Sequence, residues 1–184
     1  LIPQLAGHLV AAGGKRIRPL LTLASAALFN YTGGRQYRLA ACVEFIHTAT
    51  LLHDDVVDDA DLRRGRRTAS KVWGNQISIL VGDYLYSRAI CQIVDFRNQG
   101  INEALSEACR KMAEGEVLQL HYNGNPLMPE SEYLRIIEHK TAGLIAASCK
   151  IGAIVGGATE ELQEALFRFG QRLAEQNRHG IRPL

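Results

Sequence analysis

Acidic and basic side chains lie next to each other in the segment LLHDDVVDDADLRRGRRTAS, residues 51–70. Five aspartates fall within the eight positions that begin at Asp54, and four arginines fall within the five positions that begin at Arg63. Asp54 and Asp58 are four residues apart, so on a helix their carboxylates project from one face, one turn apart. Because such a like-charge pair destabilises a helix and raises a carboxylate pKa, the spacing predicts a bound cation that neutralises it.

Magnesium is the cation that this arrangement favours. Mg²⁺ takes hard oxygen ligands, keeps several waters, and usually binds through one or two carboxylates together with the phosphates of a substrate. A calcium-binding EF-hand is excluded because DADLRRG lacks the required third oxygen ligand and the glycine spacing. A solvated helix end without any metal is the alternative that the acidic residues alone leave open.

The arginines fit the opposite side of a site for Mg²⁺ and a diphosphate. Guanidinium groups bind phosphate oxygens bidentately. A diphosphate keeps negative charge after two carboxylates have shared a metal with it, and neighbouring basic residues would neutralise that charge. For Arg66 and Arg67 the sequence also allows a structural alternative, in which they form salt bridges within one helix.

A second basic cluster, GGKRIRP, occupies residues 13–19. Lys15 and Arg18 are three residues apart at a predicted helix start, which is a favourable place for an anion. The cluster is not a P-loop, because Leu9 stands where the first glycine is required and Arg16 stands where Ser or Thr is required. It therefore predicts a second anion-binding segment of a different kind.

Helices must position these residues. Apolar residues recur at three- and four-residue steps within the segments 39–53, 134–145 and 162–169, and no stretch shows the alternating polarity of a convincing strand. Breaks are predicted where Gly, Asn and Pro cluster, at residues 30–34, 97–100, 123–129 and 155–159. The pattern predicts one all-α domain of helices of roughly 20 residues joined by short loops.

Composition limits the class of protein. The chain has 184 residues, of which 47% are apolar, so one globular domain with a sizeable core is expected. The formal net charge is only +2, and nucleic-acid binding is not predicted because it usually brings a broad basic excess. No apolar run approaches the roughly 20 residues that span a bilayer, so no transmembrane segment is predicted. The first residues do not have the pattern of a secretory signal.

The cysteines indicate the compartment. Cys42, Cys91, Cys109 and Cys149 form no CxxC pair, and each lies among apolar residues. Buried free thiols in a reducing cytoplasm are the prediction.

Five motifs together resemble a known family. GGKRIRP, LLHDDVVDDADLRRG, GDYLYSRA, GEVLQL and HKTAGL occur in the order seen in trans-type polyprenyl diphosphate synthases, the family of farnesyl, geranylgeranyl and longer-chain synthases. The resemblance covers about residues 5–173, so residues 1–184 are expected to form a single synthase-like domain. It implies the all-α isoprenoid synthase fold, an antiparallel helical bundle around a deep central pocket.

The resemblance also implies a reaction and its partners. An allylic diphosphate ionises, the double bond of isopentenyl diphosphate attacks the carbocation, and a proton is lost. The implied protein is an Mg²⁺-dependent prenyltransferase that makes a lipophilic E-polyprenyl diphosphate in the cytoplasm and acts as a homodimer. A dry apolar pocket around the cation, with metal and arginines at the diphosphate, agrees with the chemistry of the residues.

By position in the motifs, the resemblance implies roles for several of the polar and charged residues. Asp54 and Asp58 are similar to the Mg²⁺ ligands of the first aspartate-rich motif, with Asp55 in support. Arg63 resembles the arginine that holds the allylic diphosphate, and Arg64 resembles one that holds isopentenyl diphosphate. The other implied isopentenyl diphosphate contacts are Lys15, Arg18 and His47. By spacing alone, His47 would instead be a core histidine.

Two further motifs contribute polar residues. Lys140 and Thr141 match the pair that lies over the allylic diphosphate and the forming bond. Gln119 and Glu116 resemble polar residues of a neighbouring helix that face the pocket. In the family, bulky aromatics four and five residues before the first aspartate close the pocket under a short product. Thr50 and Ala49 occupy these positions, which favours a product of geranylgeranyl length or longer, as in bacterial octaprenyl diphosphate synthases.

One expected motif is absent. The family carries a second aspartate-rich motif, FQxxDDxxD, which should begin shortly after RFGQRL, but the chain continues as AEQNRHGIRPL. We therefore expect a domain that is incomplete at its C-terminus, and a non-catalytic or truncated partner subunit of a heteromeric synthase is the main alternative. A terpene cyclase is disfavoured because cyclases need no isopentenyl diphosphate contacts, and a non-enzymatic acidic binding module is the last alternative.

Overall fold

The computed structural model describes residues 2–11 and 13–176, and these residues form an almost entirely helical bundle. The elements in chain order are α1 (Ile2–Ala11), α2 (Ile17–Ala27), α3 (Arg35–Val57), β1 (Leu62–Arg63), β2 (Arg66–Arg67), α4 (Ala69–Trp73), α5 (Asn75–Asp95), α6 (Gln99–Tyr122), α7 (Glu130–Ile137), a π-helical turn (Glu138–Ala142), α8 (Gly143–Val155) and α9 (Glu160–Gln176). The prediction of an all-α fold is confirmed, and the four predicted breaks lie between helices or at their ends.

The exception is a small hairpin that the sequence analysis missed. Strands β1 and β2 pair antiparallel, with Leu62 opposite Arg67 and Arg63 opposite Arg66. The two residues between them, Arg64 and Gly65, have φ angles of 54° and 76°, as a tight two-residue hairpin turn requires. Strands of two residues are too short to show alternating polarity, so the prediction of no strand is wrong here. The alternative of salt bridges within one helix also fails, because Arg66 and Arg67 both lie exposed on strand β2 and not on a helix.

Helix α3 runs through the centre of the bundle and packs against α2, α5 and α8. Its three- and four-residue apolar spacing buries Leu39, Val43 and Ile46 in a cluster that also includes Leu105 of α6 and Leu144 of α8. Short connections between helices favour antiparallel neighbours. The core therefore fixes the axis of the helix that carries the acidic motif.

Helices α7 and α8 are joined without a loop by the π-helical turn, which carries His139, Lys140 and Thr141. Gly115 of α6 lies against this turn. A β-carbon at position 115 would stand 2.9 Å from His139 Cβ and 3.1 Å from the backbone nitrogen of Lys140, so only glycine allows α6 to approach this closely. Single π-helical turns are frequent at functional sites, and this one places the predicted Lys–Thr pair against α6.

The cysteines and helix α5 bear on the predictions of buried free thiols and of no transmembrane segment. All four cysteines are free, as predicted; Cys42 and Cys149 are buried and Cys109 is partly exposed. The prediction of burial is wrong for Cys91, which is exposed because it lies on the outer face of α5. By length and composition, α5 is the one helix within the described residues that could cross a membrane, and 33% of its apolar window is buried.

Candidate active site

The end of α3 presents the acidic motif. The helix ends at Val57, and Asp58 is its C-cap residue, whose backbone N–H donates to Asp54 O at 2.8 Å. The three aspartates differ in environment: Asp54 is partly buried, Asp55 is only 1% exposed and Asp58 is exposed. Negative charge at the C-terminal end of a helix opposes the macrodipole, as the sequence indicated, so a cation here would be stabilising.

Asp54 has an unusually basic carboxylate. Burial, together with the negative charges of Glu116 and Asp58, raises its pKa to about 7, while the positive charges of Lys140 and Arg63 act in the opposite direction. The structure thus brings carboxylates of α3 and α6 close enough to repel each other. Such a site gains stability from a bound cation.

Asp55 anchors Arg63. The Arg63 Nε–H donates to Asp55 Oδ1 at 2.7 Å, while Asp55 Oδ2 is buried and has no hydrogen-bond partner among the described residues. A buried carboxylate oxygen without a partner carries a desolvation penalty unless another donor or a cation satisfies it. Arg63, predicted to hold the allylic diphosphate, is therefore oriented by the middle aspartate of the motif.

Lys140 joins the π-helical turn to α6. Its Nζ donates to Gln119 Oε1 at 2.7 Å and pairs with Glu116 Oε1, also at 2.7 Å. Gln119, Lys140 and Thr141 line a cavity of about 650 Å³ together with Asp58. The structure thus brings Gln119 of α6 and the Lys–Thr pair to one cavity with Asp58, whereas Glu116 does not line this cavity and contacts Lys140. The apolar part of its lining comes from Tyr122, Met128, Tyr133, Ile136 and Ile137.

A second cavity, which we call the basic cavity, has a volume of about 480 Å³. It is bounded by the loop before α2, one face of α3 and the β1–β2 hairpin. Five residues predicted to bind diphosphate line it, namely Lys15, Arg18, His47, Arg63 and Arg64. The structure thus brings three separate segments of the chain together here. The resemblance implies isopentenyl diphosphate contacts for four of the five residues, whereas it implies contact with the allylic diphosphate for Arg63.

His47 accepts a hydrogen bond in this cavity. Arg18 Nη1 lies 3.1 Å from His47 Nε2, and since a guanidinium can only donate, Nε2 must be unprotonated. Burial lowers the pKa of His47 to about 3, with the positive charges of Arg18, Arg63, Arg64 and Arg16 in support. Burial also lowers the pKa of Arg18 to about 10. His47 thus lines a cavity as a neutral partner of an arginine, and the alternative of a core histidine does not hold.

The turns around the basic cavity are left-handed. Gly13 and Gly65 each have a φ of 76°, and the non-glycine residues Arg16 and Arg64 have φ of 48° and 54°. Arg64 Nη1 donates to Gly13 O, so the hairpin and the loop before α2 are joined. Left-handed conformation in non-glycine residues costs free energy and is concentrated at functional sites.

Arg16 and Glu44 also line the basic cavity, and the sequence analysis missed both. Arg16 Nη1 donates to Glu44 Oε1, which forms an ion pair between the loop before α2 and α3. Glu44 could have been found by spacing, since it lies three residues before His47 and hence on the same face of one helix.

The two residues predicted to control product length lie in different surroundings. Ala49 has no exposed surface and belongs to a packed cluster with Leu52 of α3 and with Val81 and Leu85 of α5. It lines neither of the two cavities described above. Thr50 is partly buried, and its Oγ1–H donates to His47 O at 2.8 Å.

The acidic end of α3 fits a weakly held divalent cation. Within residues 2–11 and 13–176 no group of three or more His, Cys, Asp and Glu side chains is arranged to hold a metal ion. Asp54 and Asp58 supply two carboxylates, and the unpartnered oxygen of Asp55 lies between them in the motif. Mg²⁺ is usually bound by one or two carboxylates plus phosphates rather than by an all-protein cage, so the residues fit this mode.

The chain is similar to known proteins over most of its length. The family model described as Polyprenyl synthetase matches residues 1–176. The octaprenyl diphosphate synthase of Escherichia coli (strain K12) is 44% identical over 173 residues, which cover 94% of this chain and 54% of that protein. Component 2 of the heptaprenyl diphosphate synthase of Geobacillus stearothermophilus is 42% identical over 163 residues, which cover 89% of this chain and 51% of that protein.

A solved structure is equally similar. The crystal structure of the polyprenyl synthase of Caulobacter crescentus CB15, complexed with calcium and isoprenyl diphosphate, superposes with a TM-score of 0.90 at 48% sequence identity. The match covers 94% of this chain and 52% of that one. The chain therefore spans about half the length of the proteins that it matches.

Proposed function

The chain belongs to the polyprenyl synthetase family, and from this membership we propose that it acts in condensing an allylic diphosphate with isopentenyl diphosphate to give an E-polyprenyl diphosphate. The observation that carries the proposal is the pair of neighbouring sites along α3. Five predicted phosphate-binding residues line the basic cavity, and Asp58 lines the adjacent cavity with Lys140 and Thr141. Two substrates that each carry a diphosphate need two such sites.

We assign isopentenyl diphosphate to the basic cavity. Lys15, Arg18 and Arg64 supply positive charge, and the neutral His47 leaves the charge of Arg18 available because it accepts a hydrogen bond without forming an ion pair. Guanidinium groups match the oxygens of a diphosphate bidentately. This substrate keeps its diphosphate in the reaction, so the cavity needs no group that assists a leaving group.

We assign the allylic diphosphate to the acidic end of α3, with Asp54 and Asp58 as Mg²⁺ ligands. A bound Mg²⁺ would stabilise the negative charge that develops on the leaving diphosphate. Arg63, oriented by Asp55, binds the same group, and Lys140 exchanges its contact with Glu116 for a phosphate oxygen. Thr141 lies beside Lys140 on the π-helical turn and orients the diphosphate.

We propose a product longer than farnesyl diphosphate. Ala49 and Thr50 lack the bulk of the aromatic pair that, in the family, closes the pocket under a short product. The printed names of the relatives, an octaprenyl and a heptaprenyl diphosphate synthase, support a long product.

Assembly as a cytoplasmic homodimer is also part of the proposal. Helix α5 exposes a row of apolar side chains along one face, which is unusual for a surface that stays in water. These residues are Ile79, Leu80, Tyr84, Ile90 and Val94. A second copy that packs on this face would bury them, and the free cysteines agree with a reducing compartment.

A partner subunit of a heteromeric synthase is the second candidate function. The relative from Geobacillus stearothermophilus is by name one component of a synthase, and its match is almost as extensive as that of the octaprenyl enzyme. An intact DDVVD followed by RRG favours the catalytic role, because a purely structural partner needs neither motif.

Calorimetry with the two metal-ligand variants tests the proposal. The unmodified chain should bind farnesyl diphosphate, used as the allylic probe, tightly only when Mg²⁺ is present. Asp54→Ala and Asp58→Ala should each lose this Mg²⁺-dependent binding while they keep the helical circular dichroism spectrum. Both should still bind isopentenyl diphosphate without metal, which is the internal control. Unchanged Mg²⁺-dependent binding in both variants would overturn the assignment.

A further inference from the structure

Glu44 is the one acidic residue among the residues that line the basic cavity. It lies on α3, one turn before His47 and on the same face. A carboxylate in the wall of a cavity for a diphosphate repels that ligand, so by Coulomb interaction alone its presence weakens binding. Its position therefore requires another physical reason.

The partner of Glu44 supplies that reason. Glu44 accepts a hydrogen bond from Arg16, and the side chains of the two residues are 20% and 39% exposed, so the pair is partly shielded from water. Arg16 is the N-cap residue of α2 and has a φ of 48°, and no side chain caps the helix at this point. A left-handed conformation in a residue other than glycine persists only where its surroundings hold it.

The turn at Arg16 determines where its neighbours point. Lys15 lies directly before it, and Arg18 lies in the first turn of α2 directly after it. Both line the basic cavity. Rotation of the backbone at Arg16 would change the direction of Lys15 relative to Arg18, so the two charges would no longer meet one diphosphate.

We propose that Glu44 is a positioning residue of the isopentenyl diphosphate subsite. It holds Arg16 in the left-handed turn that presents Lys15 and Arg18 together to the diphosphate, and it does not itself touch the ligand. The inference rests on the proposed function of the basic cavity and adds to it a residue that acts through Arg16.

The proposal is tested by measuring the affinity for inorganic pyrophosphate without metal. A positioning role and simple electrostatic repulsion predict opposite changes in this affinity when Glu44 is replaced. Glu44→Gln removes a negative charge from the cavity wall, and simple electrostatics predicts tighter binding. A positioning role predicts weaker binding, by about tenfold, because Lys15 and Arg18 lose their common direction. Titration calorimetry on the whole chain measures the difference, and circular dichroism at the same temperature shows that both proteins are folded.

Arg16→Gly provides the second arm. Glycine adopts a φ of 48° without strain, so the turn no longer depends on an ion pair. In the Arg16→Gly chain, the further change Glu44→Gln should no longer weaken the binding of pyrophosphate, and a double-mutant cycle should show the coupling. A merely structural link between α2 and α3 would make Glu44→Gln lower the melting temperature in the Arg16 background without changing the affinity of the folded chain.

The outcomes separate the two levels of the proposal. If the unmodified chain does not bind pyrophosphate, the diphosphate assignment of the basic cavity fails and the role of Glu44 fails with it. If the unmodified chain binds and Glu44→Gln binds equally well or more tightly, the cavity assignment stands and only the role of Glu44 is overturned. A tenfold loss in both Arg16 backgrounds would also overturn it, because Glu44 would then act independently of Arg16.

Discussion

The basic cavity and the acidic end of α3 are neighbouring regions along one helix. They differ in whether the contacts of their charged side chains cancel the charge. In the basic cavity, Arg18 contacts the neutral His47 and Arg64 contacts the carbonyl of Gly13, so neither contact cancels the positive charge. At the acidic end, Asp55 is paired with Arg63. There a charge is already matched within the protein.

Charges are also paired within the protein around Asp54, next to the acidic end of α3. Glu116 and Lys140 form an ion pair beside Asp54, whose carboxylate is still raised in pKa to about 7. In the basic cavity a diphosphate meets Arg18 and Arg64, whose contacts leave their charge uncancelled, although Arg16 is paired there with Glu44. At the acidic end it must replace existing pairs, and only a cation makes that exchange favourable. We infer that diphosphate binding in the basic cavity is independent of metal and that diphosphate binding at the acidic end of α3 depends on it.

The largest effect is expected for Arg18→Ala. Hydrogen bonds to charged groups contribute about 1.5–3 kcal/mol, so this variant should bind isopentenyl diphosphate about tenfold to a hundredfold more weakly without metal. Asp54→Asn is the control from the other region and should leave metal-free binding unchanged. Calorimetry on both variants checks the comparison, and an equal loss in the two would show that the regions are not separate.

The next largest loss of diphosphate binding is expected for Gly115→Ala, with Gly14→Ala as its control. Gly115→Ala places a methyl group against His139 Cβ and the backbone of Lys140, and overpacking of this kind costs about 1–3 kcal/mol. The Lys–Thr pair should shift, and Mg²⁺-dependent allylic diphosphate binding should fall about tenfold.

Gly14→Ala is the matched control in the basic cavity. Its added methyl group meets Arg64 Nη1 at 2.6 Å, which is the far end of a flexible side chain and can move. Urea unfolding should show a free energy of unfolding within about 0.5 kcal/mol of the unmodified chain. If Gly14→Ala proves as destabilising as Gly115→Ala, the basic cavity is as tightly packed as the π-helical turn.

The contrast between the regions also explains what the sequence could predict. The aspartate spacing and the basic motifs predicted the candidate residues of both regions, because charged residues at helical spacing can be recognised in the sequence, and the structure brings five of them to the basic cavity. The Arg16–Glu44 pair was missed because it joins segments 28 positions apart. Spacing from His47 places Glu44 on the right face of α3, but it does not show that Arg16 is its partner. The β1–β2 hairpin was missed because its only signal is the tight turn at Arg64 and Gly65.

The packing of Ala49 could not be predicted from the sequence, for a different reason. Spacing from Asp54 gives a position along the helix axis, but which neighbour covers that face depends on how α5 packs against α3. The π-helical turn was hidden in the same way. Gly115 reveals it only when α6 is known to lie against residues 138–142.

A smaller effect, on stability, follows from the neutral His47. Its folded pKa of about 3 lies below the ordinary value of 6.5, so below pH 6.5 the unfolded chain binds a proton that the folded chain does not. Stability from this residue is therefore complete above pH 6.5 and is lost as pH falls towards 3. Between pH 7.5 and 5.5 the loss should be about 1 kcal/mol. Urea unfolding at the two pH values should show it in the unmodified chain and not in His47→Gln, and an equal pH dependence in both would mean that His47 titrates normally.

The smallest effect on diphosphate binding is expected for Ala49→Phe. Ala49 has no exposed surface and packs with Val81 and Leu85, away from both cavities, so affinity for either diphosphate should stay within about twofold. The added ring must displace packed neighbours, and a growing prenyl tail that passes this face would meet a similar obstacle, worth roughly 1–3 kcal/mol. Each 1.4 kcal/mol is about a tenfold change in the partition between elongation and release. In a full-length version that carries the second aspartate-rich motif, chromatography of the dephosphorylated products should therefore show shorter chains, with Thr50→Val, which changes little in volume, as the control. A folded Ala49→Phe protein with an unaltered product distribution would show that the tail follows a different face of α3, and the small residues at positions 49 and 50 would then not set the product length.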